Sequence, residues 1–242
     1  MNIRVLTFNT CHGCGIDGII DIKRQADFLI KLGPDILLLQ ELDKNTDRLS
    51  CYQIQELSKE LNINNYYMGI NTKVFNGEYG NGIISKYEIL ESNNYLFSNH
   101  KNEQRGLTHI KIKIDNKIIN VFSLHLSTNK DERISSIKEI IDIIKTIPKD
   151  ESIILGGDFN IGIESIGVHK YIKDNKDKYK EYEMLEDYLN KIDNKETTWV
   201  SATGEGCIDT IFYKNIELVD FKTIDNKVSD HSVVMCDFKL EV

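Results

Sequence analysis

The sequence predicts an α/β layered sandwich, two packed β-sheets with helices on their outer faces. Three observations carry this expectation. Eleven short apolar runs, each bounded by turn residues, recur along the chain. Many neighbouring runs are close enough in sequence to pair as hairpins. Amphipathic helical stripes are few, so strand and helix do not alternate as in a βαβ fold.

In chain order, residues 3–8 form the first strand. Ile22, Ala26, Leu29 and Ile30 then make one helical stripe, ended by Gly33-Pro34, which cannot continue a helix. A strand at residues 36–40 follows, then a weaker helical pattern over 52–61. Strands at 66–70, 82–85, 89–97, 107–114 and 117–124 come next. Ile134, Ile137, Ile141 and Ile144 mark a second clear helix, stopped by Pro148. After a strand at 152–155, the polar stretch 170–180 reads as an exposed loop or helix end, and 181–189 as a weaker helix. Strands at 207–213, 217–222 and 232–238 complete the pattern. With no internal repeat, low-complexity stretch or Pro/Ser-rich linker, residues 1–242 read as one domain.

A chain that is 40% hydrophobic and 28% charged is neither disordered, nor collagen-like, nor a disulfide miniprotein. No apolar run approaches the ~20 residues that cross a bilayer. The apolar core of the first residues is too short for a secretory signal and runs straight into a strand. A formal charge of −8 repels phosphate backbones at long range, which argues against tight, non-specific nucleic-acid binding. A phosphate-bearing substrate stays open, because a bound divalent cation inverts the local field. Five scattered cysteines (Cys11, Cys14, Cys51, Cys207, Cys236) fit reduced thiols in a cytoplasm better than a disulfide framework. No segment points to an obligate protein partner.

Chemistry concentrates where apolar strands end in polar residues. Strand 3–8 ends at Asn9, strand 36–40 at Gln40-Glu41, and strand 117–124 at His125. Ile153-Ile154-Leu155 runs into Gly156-Gly157-Asp158-Phe159-Asn160, Asp209 lies inside an apolar run, and Asp230-His231 leads into the last strand. Carboxylates at the ends of buried strands are costly to desolvate unless paired or bound to metal. Several such ends imply one site on an edge of the sheets. Singly, each residue has a plain structural alternative: a turn or cap for Asn9, a solvated loop for Glu41, a turn for Asp158-Phe159-Asn160, a core histidine for His125, a surface pair for Asp230-His231.

As an ordered set these residues resemble a known family. Val5-Leu6-Thr7-Phe8-Asn9, Leu39-Gln40-Glu41, Ser123-Leu124-His125, Gly157-Asp158-Phe159-Asn160, Ile208-Asp209-Thr210-Ile211-Phe212 and Ser229-Asp230-His231 stand in the order of the endonuclease/exonuclease/phosphatase superfamily, over nearly the whole chain. The resemblance implies a four-layer α/β sandwich of two mixed sheets flanked by helices, and a divalent metal, Mg²⁺ or Mn²⁺, acting on a phosphoester. By this likeness Glu41 is the principal metal ligand, assisted by Asn9 and Asp230. His231 takes a proton from the attacking water and Asp209 orients that imidazole. Asp158 and Asn160 orient the nucleophile or bind a second metal, and His125 donates to a non-bridging oxygen of the transition state.

Further features are read beside the resemblance. Cys11-His12-Gly13-Cys14-Gly15 forms a Gly-rich loop over the site, with His12 a substrate contact; Cys-x-x-Cys also admits zinc or redox chemistry, but no second pair lies at finger spacing. Arg105 either clamps a phosphate through its planar fork or is simply exposed. Asn81 contacts substrate or, with Glu78 as the alternative, orients His125. Trp199 packs in the core. The chain departs from abasic-site enzymes, which place Arg before the hydrophobe-Asp pair where Cys207 stands here, and from inositol phosphatases, which place Arg two residues after the Asp-x-Asn. It has no aromatic hairpin of the sphingomyelinase type and resembles the compact bacterial metal-dependent hydrolases of the superfamily. The implied activity is phosphoester hydrolysis on a small molecule or nucleic acid, with a DNA or RNA nuclease and a catalytically silent binding module as alternatives.

Overall fold

A computed structural model describes residues 1–98, 101, 103–162, 164–165, 180–202 and 204–240. Most of the polar stretch 170–180 lies outside the described residues. Strands β1 (Asn2–Asn9), β2 (Ile36–Lys44), β3 (Asn65–Val74) and β4 (Gly77–Ser85) fall at the predicted places, as do β5 (Ile89–Leu96), β6 (Gly106–Ile114), β7 (Lys117–His125) and β8 (Ser152–Asp158). Four two- or three-residue strands were not anticipated: β9 (Glu164–Ser165), β10 (Asn190–Lys191), β11 (Trp199–Val200) and β12 (Gly204–Gly206). The chain ends with β13 (Asp209–Lys214), β14 (Glu217–Ile224) and β15 (Val233–Lys239). The helices are α1 (Ile22–Leu32), α2 (Gln53–Leu61), α3 (Lys130–Thr146) and α4 (Lys180–Glu186).

Two six-stranded sheets result, ordered β14-β15-β1-β2-β4-β3 and β10-β13-β8-β7-β6-β5, with a small third sheet β11-β12-β9. Pairing is mostly antiparallel, as hairpins require, but β1 with β2 and β7 with β8 run parallel. Both parallel pairs are joined through a helix, α1 and α3, because parallel neighbours need a long crossover. Each helix has a side-chain N-cap: Asp21 accepts from the Arg24 amide, and Asn129 from those of Asp131 and Glu132. Gly33 ends α1 in the left-handed conformation.

Strand alternation sorts the side chains into three apolar layers. Ile3, Val5, Ile36 and Leu38 from one sheet meet Ile119, Val121, Ile154 and Ile211 from the other in the central layer. Leu6, Phe8, Leu37 and Leu39 face outward onto Ala26, Leu29, Ile54 and Leu57 of α1 and α2. Phe122, Leu124, Leu155 and Phe212 do the same beneath Ile137, Ile140 and Ile144 of α3. The predicted stripe of α1 needs one correction. Ile30 is 48% exposed, and the buried place is taken by Gln25, whose Nε2 donates to the carbonyls of Thr10 (2.7 Å) and Val228 (2.8 Å). Among the described residues no helix is long and apolar enough to cross a membrane.

Gly157 sits at φ +152°, where a Cβ would collide with the backbone of Leu124 in the neighbouring strand. Gly157→Ala should therefore lower unfolding free energy by roughly 3 kcal/mol, read from urea denaturation; an unchanged midpoint would contradict the close approach of β7 and β8.

Candidate active site

The central layer changes character toward one end. Along β1 the inward positions read Ile3, Val5, Thr7, Asn9; along β7 they read Ile119, Val121, Ser123, His125. A buried polar belt closes the apolar core: Gln40 Nε2 donates to Ser123 Oγ at 3.1 Å across the two sheets, and Ser123 Oγ donates to the Leu39 carbonyl. One pleat further on, His125, Asp158 and Asp209 stand directly opposite one another across β7, β8 and β13.

Glu41 reaches the same place by a different device. The register between β2 and β4 shifts between Leu39 and Leu42, and Glu41 takes φ 58° within this bulge. A left-handed non-glycine residue costs about 1–3 kcal/mol and re-aims its side chain out of the sheet. Asn9 Nδ2 donates to Glu41 Oε1 (3.0 Å) and to Asp158 Oδ2 (3.1 Å), while Asn9 Oδ1 accepts from the Cys11 amide. Asn9 thus ties two carboxylates together through its NH₂ group.

His231 Nδ1 lies 2.9 Å from Asp209 Oδ2. A carboxylate only accepts, so Nδ1 carries hydrogen and Nε2 faces Asp158 Oδ2 at 3.8 Å. Burial alone would lower the His231 pKa; the charge and hydrogen bond of Asp209, then Asp158 and Asp230, overcome it and hold it at about 10. His125 behaves oppositely. Its Nδ1 lies 3.1 Å from Arg105 Nη1, which can only donate, so its hydrogen sits on Nε2, 3.3 Å from Asp158 Oδ2. Burial, then the Arg105 charge, push His125 well below its ordinary pKa and keep it neutral. Burial and repulsion from Asp209 raise Asp158 above the usual carboxylate range. Glu41 is depressed: burial would raise it, but His12 and the Asn9 amide outweigh that.

Asn9, Glu41, His125, Asp158, Asp209 and His231 are therefore joined by direct contacts. Asp230 and His12 lie on the rim: Asp230 Oδ2 accepts from Trp199 Nε1 at 3.1 Å, and His12 Nδ1 is 3.8 Å from Glu41 Oε2. Arg105 is neither exposed nor free. It holds His125 and pairs with Glu103 at 2.9 Å. Asn160 donates from its backbone amide to Asp158 Oδ1 and from Nδ2 to the Leu126 carbonyl, which fixes the turn after β8. Two expectations are corrected. Asn81 is buried with its amide on the Gly106 carbonyl, and Glu78 pairs with Lys44, so neither orients His125. Trp199 is only half-buried and stands at the rim with its ring 6.4 Å from that of His231.

Other residues position the site from behind, Ser229 within the Ser229-Asp230-His231 motif and Thr198 and Gln53 outside any. Ser229 Oγ donates to the Asn9 carbonyl (2.8 Å) and accepts from the His231 amide (3.1 Å), linking the first strand to the last. Thr198 Oγ1 accepts from the amides of Ile208 and Asp209, each at 3.0 Å, while its carbonyl accepts from the Ser232 amide at 2.7 Å. The segment Thr198-Trp199 thus clasps the strand starts that carry Asp209 and His231. Gln53 Nε2 donates to Thr10 Oγ1, which itself donates to the carbonyls of Gln40 and Glu41.

The donor set fits a hard divalent cation. Asp158 and Asp209 are almost fully buried and converge with His231. Buried like charges of this kind want a counter-charge, and Glu41, whose side chain is 23% exposed, opens the cluster to solvent. Glu41 and Asp158, tied together through Asn9, would hold such an ion.

The open seam of the two-sheet sandwich thus gathers buried carboxylates around an Asp–His pair. The model of the Endonuclease/Exonuclease/phosphatase family matches residues 6–231, and the chain belongs to that family. It is 26% identical over 185 residues to Sphingomyelinase C of Bacillus cereus. That alignment covers 66% of this chain and 55% of the relative, so the chain spans about half the length of the curated protein it matches. Two solved structures share the fold. The endonuclease/exonuclease/phosphatase from Bacteroides vulgatus has a TM-score of 0.78 at 20% identity, covering 100% of both chains. That from Beutenbergia cavernae DSM 12333 has 0.80 at 18% identity, covering 99% of this chain and 72% of the other.

Thr198→Val should strand two buried amides and lower stability by roughly 2–4 kcal/mol in chemical denaturation, whereas Thr198→Ser should retain most of it. Equal stability of both variants would show that the clasp carries no weight.

Proposed function

We propose that this chain is a divalent-cation-dependent hydrolase of phosphoester bonds, with a phosphodiester as the preferred class. The observation that carries this reading is the Asp209–His231 pair, with His231 Nε2 facing the carboxylate cluster tied together by Asn9. The family and the similarity to Sphingomyelinase C support phosphoester chemistry. A reducing compartment, with the cytoplasm as the expected one, is supported by five unpaired cysteines.

The residues divide the work as follows. A cation on the carboxylate cluster would offset the negative charge that raises the His231 pKa and leave the imidazole neutral; Nε2 then takes the proton of the attacking water, and Asp209 holds the opposite nitrogen and stabilises the imidazolium that forms. His125 donates from Nε2 to a non-bridging phosphoryl oxygen, because Arg105 fixes that tautomer. Asp158, locked by the Asn160 amide, orients the water, and His12 at the rim contacts the substrate. Mg²⁺ or Mn²⁺ held by Glu41 would supply Lewis-acid stabilisation of charge on the phosphoryl group.

Purified protein with Mg²⁺ or Mn²⁺ should hydrolyse bis-p-nitrophenyl phosphate in preference to p-nitrophenyl phosphate, and EDTA should abolish turnover. Plasmid DNA and sphingomyelin in the same screen identify a nuclease or a lipid diesterase. No turnover on the whole panel would leave a silent binding fold and reject the proposal. His231→Ala and Asp209→Asn should each lower turnover at least ~10²-fold with unchanged circular dichroism. Glu41→Gln should weaken Mg²⁺ binding in calorimetry; unchanged affinity would remove Glu41 as principal ligand.

A further inference from the structure

The loop after β1 brings a second set of ligand atoms, of different chemistry, against the hydrolytic centre. Atoms of Cys11, His12 and Glu41 all lie within 4.8 Å of one another. His12 Nδ1 is buried, makes no hydrogen bond, and sits 3.8 Å from Glu41 Oε2. All three residues hold the left-handed backbone conformation, at φ 45°, 45° and 58°. Three adjacent non-glycine residues in that region are over-determined by their surroundings, and such strain gathers at functional sites.

Those surroundings are visible. The Cys11 amide donates to Asn9 Oδ1 (3.0 Å), the Gly13 amide to the Thr10 carbonyl (2.9 Å), and the Cys14 amide to the Cys11 carbonyl (2.8 Å). Thr10 Oγ1 in turn donates to the carbonyls of Gln40 and Glu41. The turn bearing Cys11 and His12 is thereby fastened to the bulge bearing Glu41. Cys14, the other thiol of the Cys-x-x-Cys spacing, is not in the group; its Sγ turns to the Gly15 carbonyl at 3.5 Å.

A thiol, an imidazole and a carboxylate are the ligand types Zn²⁺ takes with three protein donors, leaving a fourth place for water. Mg²⁺ favours an all-oxygen octahedron and gains nothing from sulfur. We propose that Cys11, His12 and Glu41 form a binding site for a thiophilic divalent cation of the Zn²⁺ class, whose occupation closes the hydrolytic centre by capturing Glu41. Binding exchanges the Cys11 S–H bond for an Sγ–metal bond; the proton leaves to solvent and no electron is transferred. The binding half stands on this cluster alone, whereas the inhibitory half rests on the proposed function.

Cd²⁺ is a suitable probe, because thiolate coordination to it gives an ultraviolet charge-transfer band whether or not the chain turns over substrate. Titration of the full chain should give a band saturating at one ion per chain. Cys11→Ser should reduce it at least tenfold, Cys14→Ser should leave it, and His12→Asn, a residue that tolerates the left-handed turn, should weaken binding at least tenfold. No band in the unaltered chain, or an equal band in Cys11→Ser, overturns the site. Zn²⁺ should then inhibit bis-p-nitrophenyl phosphate hydrolysis at saturating Mg²⁺, with an inhibition constant at least tenfold weaker in Cys11→Ser. Equal inhibition of both proteins overturns the coupling to Glu41. A Cys11-dependent band in a protein without turnover would sink the phosphoesterase reading and leave the cation site standing.

Discussion

The seam between the two sheets is the constraint on which the rest of the structure depends. Strand alternation sends every second side chain into that seam, and the backbone cannot tell whether the residue is isoleucine or aspartate. Ile3 and Val5 fill it at one end, Thr7 and Gln40 cross it in the middle, and Asn9 with Glu41 occupies its mouth. The same pleat takes β7 from Val121 through Ser123 to His125. Core and site are consecutive storeys of one layer, so the packing that stabilises the sandwich also fixes the distance between catalytic groups drawn from opposite sheets. A one-residue slip in β7 or β8 would turn His125 or Asp158 toward the helices.

That arrangement leaves a charge problem which the protein answers with neutral donors. Asp158 and Asp209 are nearly free of solvent contact, yet the cationic side chains in reach are largely turned elsewhere: Arg105 serves His125 and Glu103, and Arg48 pairs with Asp43. Asn9 donates to Asp158 through its carboxamide, and the Thr198 hydroxyl accepts from the Asp209 backbone amide. Asn9, being neutral, holds Glu41 and Asp158 in place without cancelling their charge. Attraction for a cation is thus preserved where an arginine in the same place would have removed it.

The sequence made the strands legible because their alternation survives in composition. It also made Asn9, Glu41, His125, Asp158, Asp209 and His231 legible as a set, because each follows or opens an apolar run. Features set by backbone conformation were not legible. Nothing in Leu39-Gln40-Glu41-Leu42 announces a bulge, since the left-handed residue is Glu41 rather than a glycine. Gln25 and Gln53 look like solvent-facing helix residues until the Thr10 backbone and hydroxyl beneath them are seen. Trp199 was misplaced for a related reason. An isolated aromatic reads as core, yet here its indole N–H finds Asp230, and a half-buried position satisfies ring and N–H together. The orientation of Asn9 was not legible, because a carboxamide offers both a donor and an acceptor and only the neighbours decide which faces Glu41 and Asp158.

Glu41 draws these threads together. It is held by Asn9 on one carboxylate oxygen and faced by His12 at the other, on a backbone that is strained at both Glu41 and His12. A glycine or asparagine in the bulge would adopt this conformation at less cost. The strain persists because the bulge alone lifts a carboxylate from the sheet plane into the mouth of the seam. There it shares Asn9 with the oxygens of Asp158 and lies beside the sulfur and nitrogen of Cys11 and His12. In the proposed scheme the hardness of the ion would decide which of these Glu41 joins, so one bulge in one strand would serve both the hydrolytic centre and its inhibition.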